Sequence, residues 1–157
     1  MDKLLLTPVR NDLSREWEYE LVQDVEIPFQ DQKIIVPKYF SYDGASIPAF
    51  AWQAIYSQFN PIVMGPALVH DWLYSNHQIK RGEADKLFRD LLAANRVPEI
   101  KLRLIYDAVD KAGGAFWPNS KSDLKYLVSL YRRLRDEGFD VKKYKFASEV
   151  VEKAGGG

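Results

Sequence analysis

Apolar and polar residues alternate through the first forty positions of the chain. Trp17, Tyr19 and Leu21 interleave with Glu16, Glu18 and Glu20, and Val25, Ile27 and Phe29 continue the alternation. A period of two predicts strands with one buried face. Val22 and Gln23 interrupt it, which predicts either a bulge or two short strands. Leu4 to Leu6 is a short apolar run closed by Pro8, and Lys33 to Phe40, entered through Asp31-Gln32, carries the strand-prone Ile34, Ile35 and Val36. Two to four antiparallel strands are expected. The segment YDGASIP, Tyr42 to Pro48, ends the sheet: Gly44 frees the backbone for a turn, and Pro48 blocks simple continuation. The aromatic stretch AFAWQAIYSQF then predicts a short helix or a lid, broken by Asn60-Pro61.

From Gly65 the spacing becomes helical. One helix is expected from Pro66 to about Asn76, and a second over Arg81–Asn95 with Ala84, Leu87, Phe88, Leu91 and Leu92 on one stripe. Pro98 opens a third, in which Leu102, Ile105, Val109 and Ala112 recur until Gly113-Gly114 stop it. A fourth is capped by Asn119 or Ser120, buries Leu124, Leu127, Val128, Tyr131 and Leu134, and ends at Gly138. The closing EVVEKAGGG reads as frayed. These elements predict an α+β fold: a small N-terminal antiparallel sheet packed with a bundle of about four helices. A single domain over 1–154 with a flexible tail at 155–157 is the simplest organisation.

Composition narrows the function classes. The 157 residues are 46% hydrophobic, enough for a packed core. With 22 basic and 22 acidic residues the formal charge is zero, which argues against nucleic acid as a partner. No cysteine is present, so disulfides, thiolate zinc sites and cysteine nucleophiles are excluded together. The opening MDKLLLTPVRND lacks the apolar core of a signal peptide, and no run approaches a membrane span.

The candidate chemistry lies in PALVHDWLYSNHQIKRGEADKLFRDLL, Pro66 to Leu92. His70, Leu73, Tyr74 and His77 recur at i, i+3, i+4 and i+7, which sets the imidazole and the phenol on one helix face. A neutral histidine that is oriented by a carboxylate can take a proton from water. Asp85, returning on the next helix, is placed to orient His70, with Tyr74 donating to the same carboxylate. Asp71 points a third of a turn away. With Asp43 and the carbonyls around Gly44 it forms a candidate site for Ca²⁺, a cation that takes oxygen ligands. Zinc is disfavoured by the two histidines and the missing cysteines.

His70-Asp71-x-x-Tyr74, followed by an aspartate on the next helix, resembles the catalytic core of phospholipase A2. DGAS upstream is similar to the aspartate-glycine calcium turn of the bacterial and fungal members. The resemblance implies His70 as general base, Asp71 with Asp43 and Gly44 as calcium ligands, Tyr74 and Asp85 as the supporting network, and a phospholipase A2-like helix pair at the centre of the fold. Over most of the chain, the order IVPKYFSYDGASIP, ALVHDWLY, RGEADKLF and IYDAVDKAGGAFW resembles a family of small tailed-phage and prophage proteins of unknown function. That likeness implies host cytoplasm or virion as the location, and a phospholipid surface or virion proteins as partners.

Each feature also has a plainer use. His70 and its partners can be a structural hydrogen-bond network in a non-enzymatic virion or host-interaction protein. Asp43 and Ser46 can cap a helix beginning near Pro48, and Arg81 with Asp85 makes an i, i+4 surface ion pair. Phe50, Trp52, Tyr56 and Phe59 suit a core better than a membrane patch. The basic run at Arg132, Arg133, Arg135, Lys142, Lys143 and Lys145 suits a solvated face better than a site for anionic headgroups.

Overall fold

The alternating N-terminal pattern resolves into short strands. The computed structural model describes residues 4–10, 17–42 and 61–155. The strands are β1 (Leu6–Arg10), β2 (Trp17–Leu21), β3 (Val25–Phe29), β4 (Gln32–Val36) and β5 (Ser41–Tyr42). The interruption at Val22-Gln23 separates two strands rather than bulging one, because β2 and β3 belong to different sheets. One sheet has the order β1-β2-β5 and the other pairs β3 with β4; every pairing is antiparallel. Pro8 does not close the first strand. It sits inside β1 opposite Tyr19, which is permitted because β1 is an edge strand and a missing N–H there breaks no second ladder. A two-residue link turns β3 into β4, with Gln30 in the left-handed region at φ 51°. β4 ends before Pro37, short of the expected Phe40.

The helices are α1 (Pro61–Asn76), α2 (Arg81–Ala94), α3 (Glu99–Phe116), α4 (Lys121–Asp136) and the short α5 (Ser148–Lys153), with a 3-10 turn at Val141–Tyr144. Together the elements form an α+β fold. None of these helices is long and apolar enough to cross a membrane.

Two compact units emerge from the packing. The first covers residues 44–118 and holds α1, α2 and α3; the second joins residues 2–43 to 119–157 and holds the strands, α4, the 3-10 turn and α5. In the second unit Asp24 ties distant segments together. Its Oδ1 accepts the Lys38 amide at 2.8 Å and the Tyr144 hydroxyl at 2.9 Å, and its Oδ2 meets Lys143 Nζ at 2.9 Å. Helix α4 is capped by Ser120, whose hydroxyl accepts from the Asp123 amide at 3.1 Å while Asp123 accepts from the Ser120 amide at 2.9 Å. Gly138 ends it at φ 89°, where a residue with a Cβ is strained. The C-terminal segment read as frayed is instead a helical turn: Val150 is buried, and Arg132 and Arg135 donate to the carbonyls of Lys153 and Ala154 at 3.1 and 2.9 Å.

In the first unit the helix expected from Pro66 begins five residues earlier. Pro66 therefore lies in its second turn, where its missing N–H leaves the Ile62 carbonyl without the helical i→i+4 bond. The Asn95 side-chain amide fills that place, donating to the Ile62 carbonyl at 2.7 Å. A proline inside a helix is thus tolerated because the end of α2 supplies the lost donor.

Candidate functional site

Helix α1 is apolar nearly all round. Val63, Ala67, Leu68, Val69, Trp72, Leu73 and Tyr74 are buried, so a polar side chain on it must find partners inside the protein. His77 ends the helix in the left-handed region at φ 57°, and residues 77–80 return the chain into α2. A loop this short makes the two helices antiparallel neighbours. Glu83 steadies the start of α2 by accepting from the Lys80 amide at 3.1 Å. The buried face of α2 is Ala84, Leu87, Phe88 and Leu92, with Asp85 set among them.

That register brings His70, Tyr74 and Asp85 together. His70 Nε2 lies 2.8 Å from Asp85 Oδ1, and the Tyr74 hydroxyl donates to the same oxygen at 2.6 Å. His70 and Asp85 are 1% and 2% exposed. The imidazole packs against Tyr74 and Phe88, with ring centroids at 4.3 and 4.6 Å. Burial in this setting pushes the His70 pKa below its ordinary 6.5, and the Asp85 hydrogen bond and charge oppose the shift only partly. The ring is accordingly neutral at pH 7. A carboxylate oxygen accepts, so Nε2 carries the proton and Nδ1 carries the lone pair. Nδ1 is itself buried and meets no hydrogen-bond partner among the described residues.

Arg81 does not form the expected pair with Asp85, whose carboxylate is instead hydrogen-bonded to His70 and Tyr74. Its guanidinium reaches back to the Asp110 carbonyl at 3.4 Å and lies near the Tyr74 hydroxyl. Burial and the Asp85 carboxylate raise the Tyr74 pKa, and Arg81 offsets part of the rise, so the phenol remains a donor.

Gly113 of α3 and Trp117 at its end complete the surroundings; spacing read Gly113 as a helix stop and gave Trp117 no role. Gly113 does not stop the helix, which continues to Phe116. A Cβ at Gly113 would collide with the Tyr74 hydroxyl and lie 2.8 Å from Arg81 Nη1, so glycine here permits close approach, not termination. Trp117 stacks on His77 with centroids 3.9 Å apart and planes at 9°, and meets Tyr74 edge-on at 5.0 Å. His77 Nε2 lies 2.8 Å from the Trp117 carbonyl, which gives that histidine a structural task. The sequence signal that tied both residues to the site was their place in the GGAFW segment of the wider family pattern.

The proposed cation ligands are treated separately. Asp71 is on α1 beside His70 and is half-buried. Asp43 and Gly44, with Ser46 and the aromatic segment through Phe59, lie outside the described residues. Among the described residues no group of three or more His, Asp or Glu side chains gathers to hold a metal. The donor types still fit a hard cation, since Asp43, Asp71 and the Gly44 carbonyl are all oxygen ligands.

No curated protein and no solved structure matches the chain. Residues 19–109, more than half of the sequence, match the model of a family described as protein of unknown function, DUF1353, and the chain belongs to that family.

Proposed function

We propose that the chain is a phage-encoded, calcium-dependent hydrolase of the phospholipase A2 type, in which His70 activates water against a phospholipid ester. One observation carries the reading. His70 is neutral, held through Nε2–H by Asp85, and its remaining nitrogen is a buried lone pair with no donor among the described residues. A structural histidine normally uses both nitrogens when buried. A general base needs one free.

The chemistry follows from the tautomer. Nδ1 takes a proton from water as the water oxygen bonds to the ester carbonyl carbon. The ring becomes cationic, and Asp85 stabilises it at 2.8 Å without taking its proton. As the ester C–O bond breaks, the same proton passes from Nδ1 to the departing alkoxide. Tyr74 fixes the Asp85 carboxylate during both transfers. Calcium bound by Asp43, Asp71 and the Gly44 carbonyl would supply electrostatic stabilisation of the developing oxyanion.

The same burial favours a second reading, a non-enzymatic virion or host-interaction protein whose network only holds α1 to α2. Nδ1 is screened from solvent, so water reaches it only when the packing around the ring opens. The two readings separate on purified protein with mixed phospholipid vesicles. The hydrolase releases fatty acid in calcium, loses the activity in chelator, and slows by roughly 10²-fold or more in Asp85→Asn, which mis-sets the histidine tautomer. Wild type that releases no fatty acid overturns the proposal and leaves the scaffold.

A further inference from the structure

The outer face of α4 carries features that neither reading uses. Leu127, Val128, Leu130, Tyr131 and Leu134 are the buried residues of this helix. Leu124, grouped with that stripe by spacing, is only half-buried, and together with the edge of the buried Val128 it lines a groove of about 540 Å³. They share it with Ser129 and with four cations: Lys121, Lys125 and Arg132 from α4, and Lys153 from the end of α5. Positions 121, 124, 125, 128, 129 and 132 follow the i, i+3, i+4 rule, so one helical face presents two aliphatic side chains one turn apart with positive charge on both sides of them.

The charges are largely uncompensated. Lys121 and Lys125 pair with no carboxylate among the described residues. Arg132 donates to the Lys153 carbonyl at 3.1 Å, a contact that orients its guanidinium and leaves its charge in place. Of these four cations only Lys153 has an ion-pair partner among the described residues, Glu149 at 3.6 Å on the exposed surface. No acidic residue lines the groove.

We propose that this groove binds a single-chain anionic amphiphile, an alkyl phosphate or carboxylate whose head is held by Lys121, Lys125, Arg132 and the Ser129 hydroxyl while its first methylenes cover Leu124 and Val128. Charge complementarity selects the anion. The aliphatic pair selects the tail, because a bare phosphate would leave that surface wet. The volume suits one small molecule and not a protein partner, whose interface takes about 800 Å² from each side. The site stands independently of the hydrolase reading, since His70 and its partners take no part in it.

The experiment is calorimetric titration of the full chain with decyl phosphate below its micelle concentration, beside decanol, inorganic phosphate and vesicles containing anionic lipid. Saturable one-to-one binding of decyl phosphate is expected, with decanol and inorganic phosphate each weaker. Lys121→Glu with Lys125→Glu changes two exposed residues that make no ion pair. It weakens decyl phosphate at least about tenfold, as attraction becomes repulsion, with an unchanged melting temperature. Leu124→Asn narrows the difference between decyl phosphate and inorganic phosphate. Equal affinity for inorganic phosphate or decanol, an unchanged affinity in the charge-reversed variant, or binding to vesicles but not to the monomeric amphiphile overturns the proposal.

Discussion

His70 links stability to pH in a direction that follows from its surroundings. Its pKa in the fold lies below 6.5, and in the unfolded chain it returns to about 6.5. Between those values the unfolded chain holds a proton that the native ring refuses, so stability falls as pH drops below about 6.5 and is fully recovered above it. His70→Asn removes that contribution. Urea midpoints at pH 7.5 and 5.5 should therefore differ less in His70→Asn than in wild type; an equal difference contradicts the account.

A second residue-scale test uses neighbouring glycines in one helix. Gly114 faces open space, so Gly114→Ala should stabilise by about 0.5–1 kcal/mol through helix propensity alone. Gly113→Ala gains the same propensity but drives a methyl into a Tyr74 hydroxyl pinned on Asp85, an overpacking cost of about 1–3 kcal/mol. The clash outweighs the gain, and denaturant unfolding of the two variants should move in opposite directions.

At the scale of elements, the site depends on α1 surviving its internal proline. Asn95→Ala strips the Ile62 carbonyl of its donor and should cost about 1 kcal/mol, at the low end because the bond is near solvent. In Pro66→Ala the helix regains an N–H for that carbonyl, so Asn95→Ala should cost less in that background. Additive losses in the double-mutant cycle would show that the two are uncoupled.

Local spacing carried much of this scale. His70 and Tyr74 at i, i+4 had to share a face, and the short polar connector placed Asp85 to return beside them on the next helix. What spacing missed depends on the neighbour each side chain meets. Gly113 has the signature of a stop until α1 places Tyr74 against it. Pro66 has the signature of a start until α2 offers Asn95. Leu124 fits the buried period of α4 and yet is only half-buried at the edge of a groove, because it lies in the first turn, one turn before the buried run that begins at Leu127.

For the molecule as a whole, the α+β class followed from a change of period near residue 60. The strands pair into two sheets, and one packed unit is assembled from both ends of the chain. Neither is legible in periodicity, since both depend on contacts far apart in sequence, such as Asp24 with Tyr144.

The central claim is that Nδ1 of His70, unpartnered among the described residues, does chemistry, and one comparison tests it most directly: the rate of fatty-acid release from mixed phospholipid vesicles in calcium by wild type and by His70→Gln, each verified as folded. The account predicts measurable release by wild type and a loss of roughly 10²–10⁴-fold in the variant, the range for removing a general base. Equal rates in the two proteins, or none in either, would contradict it.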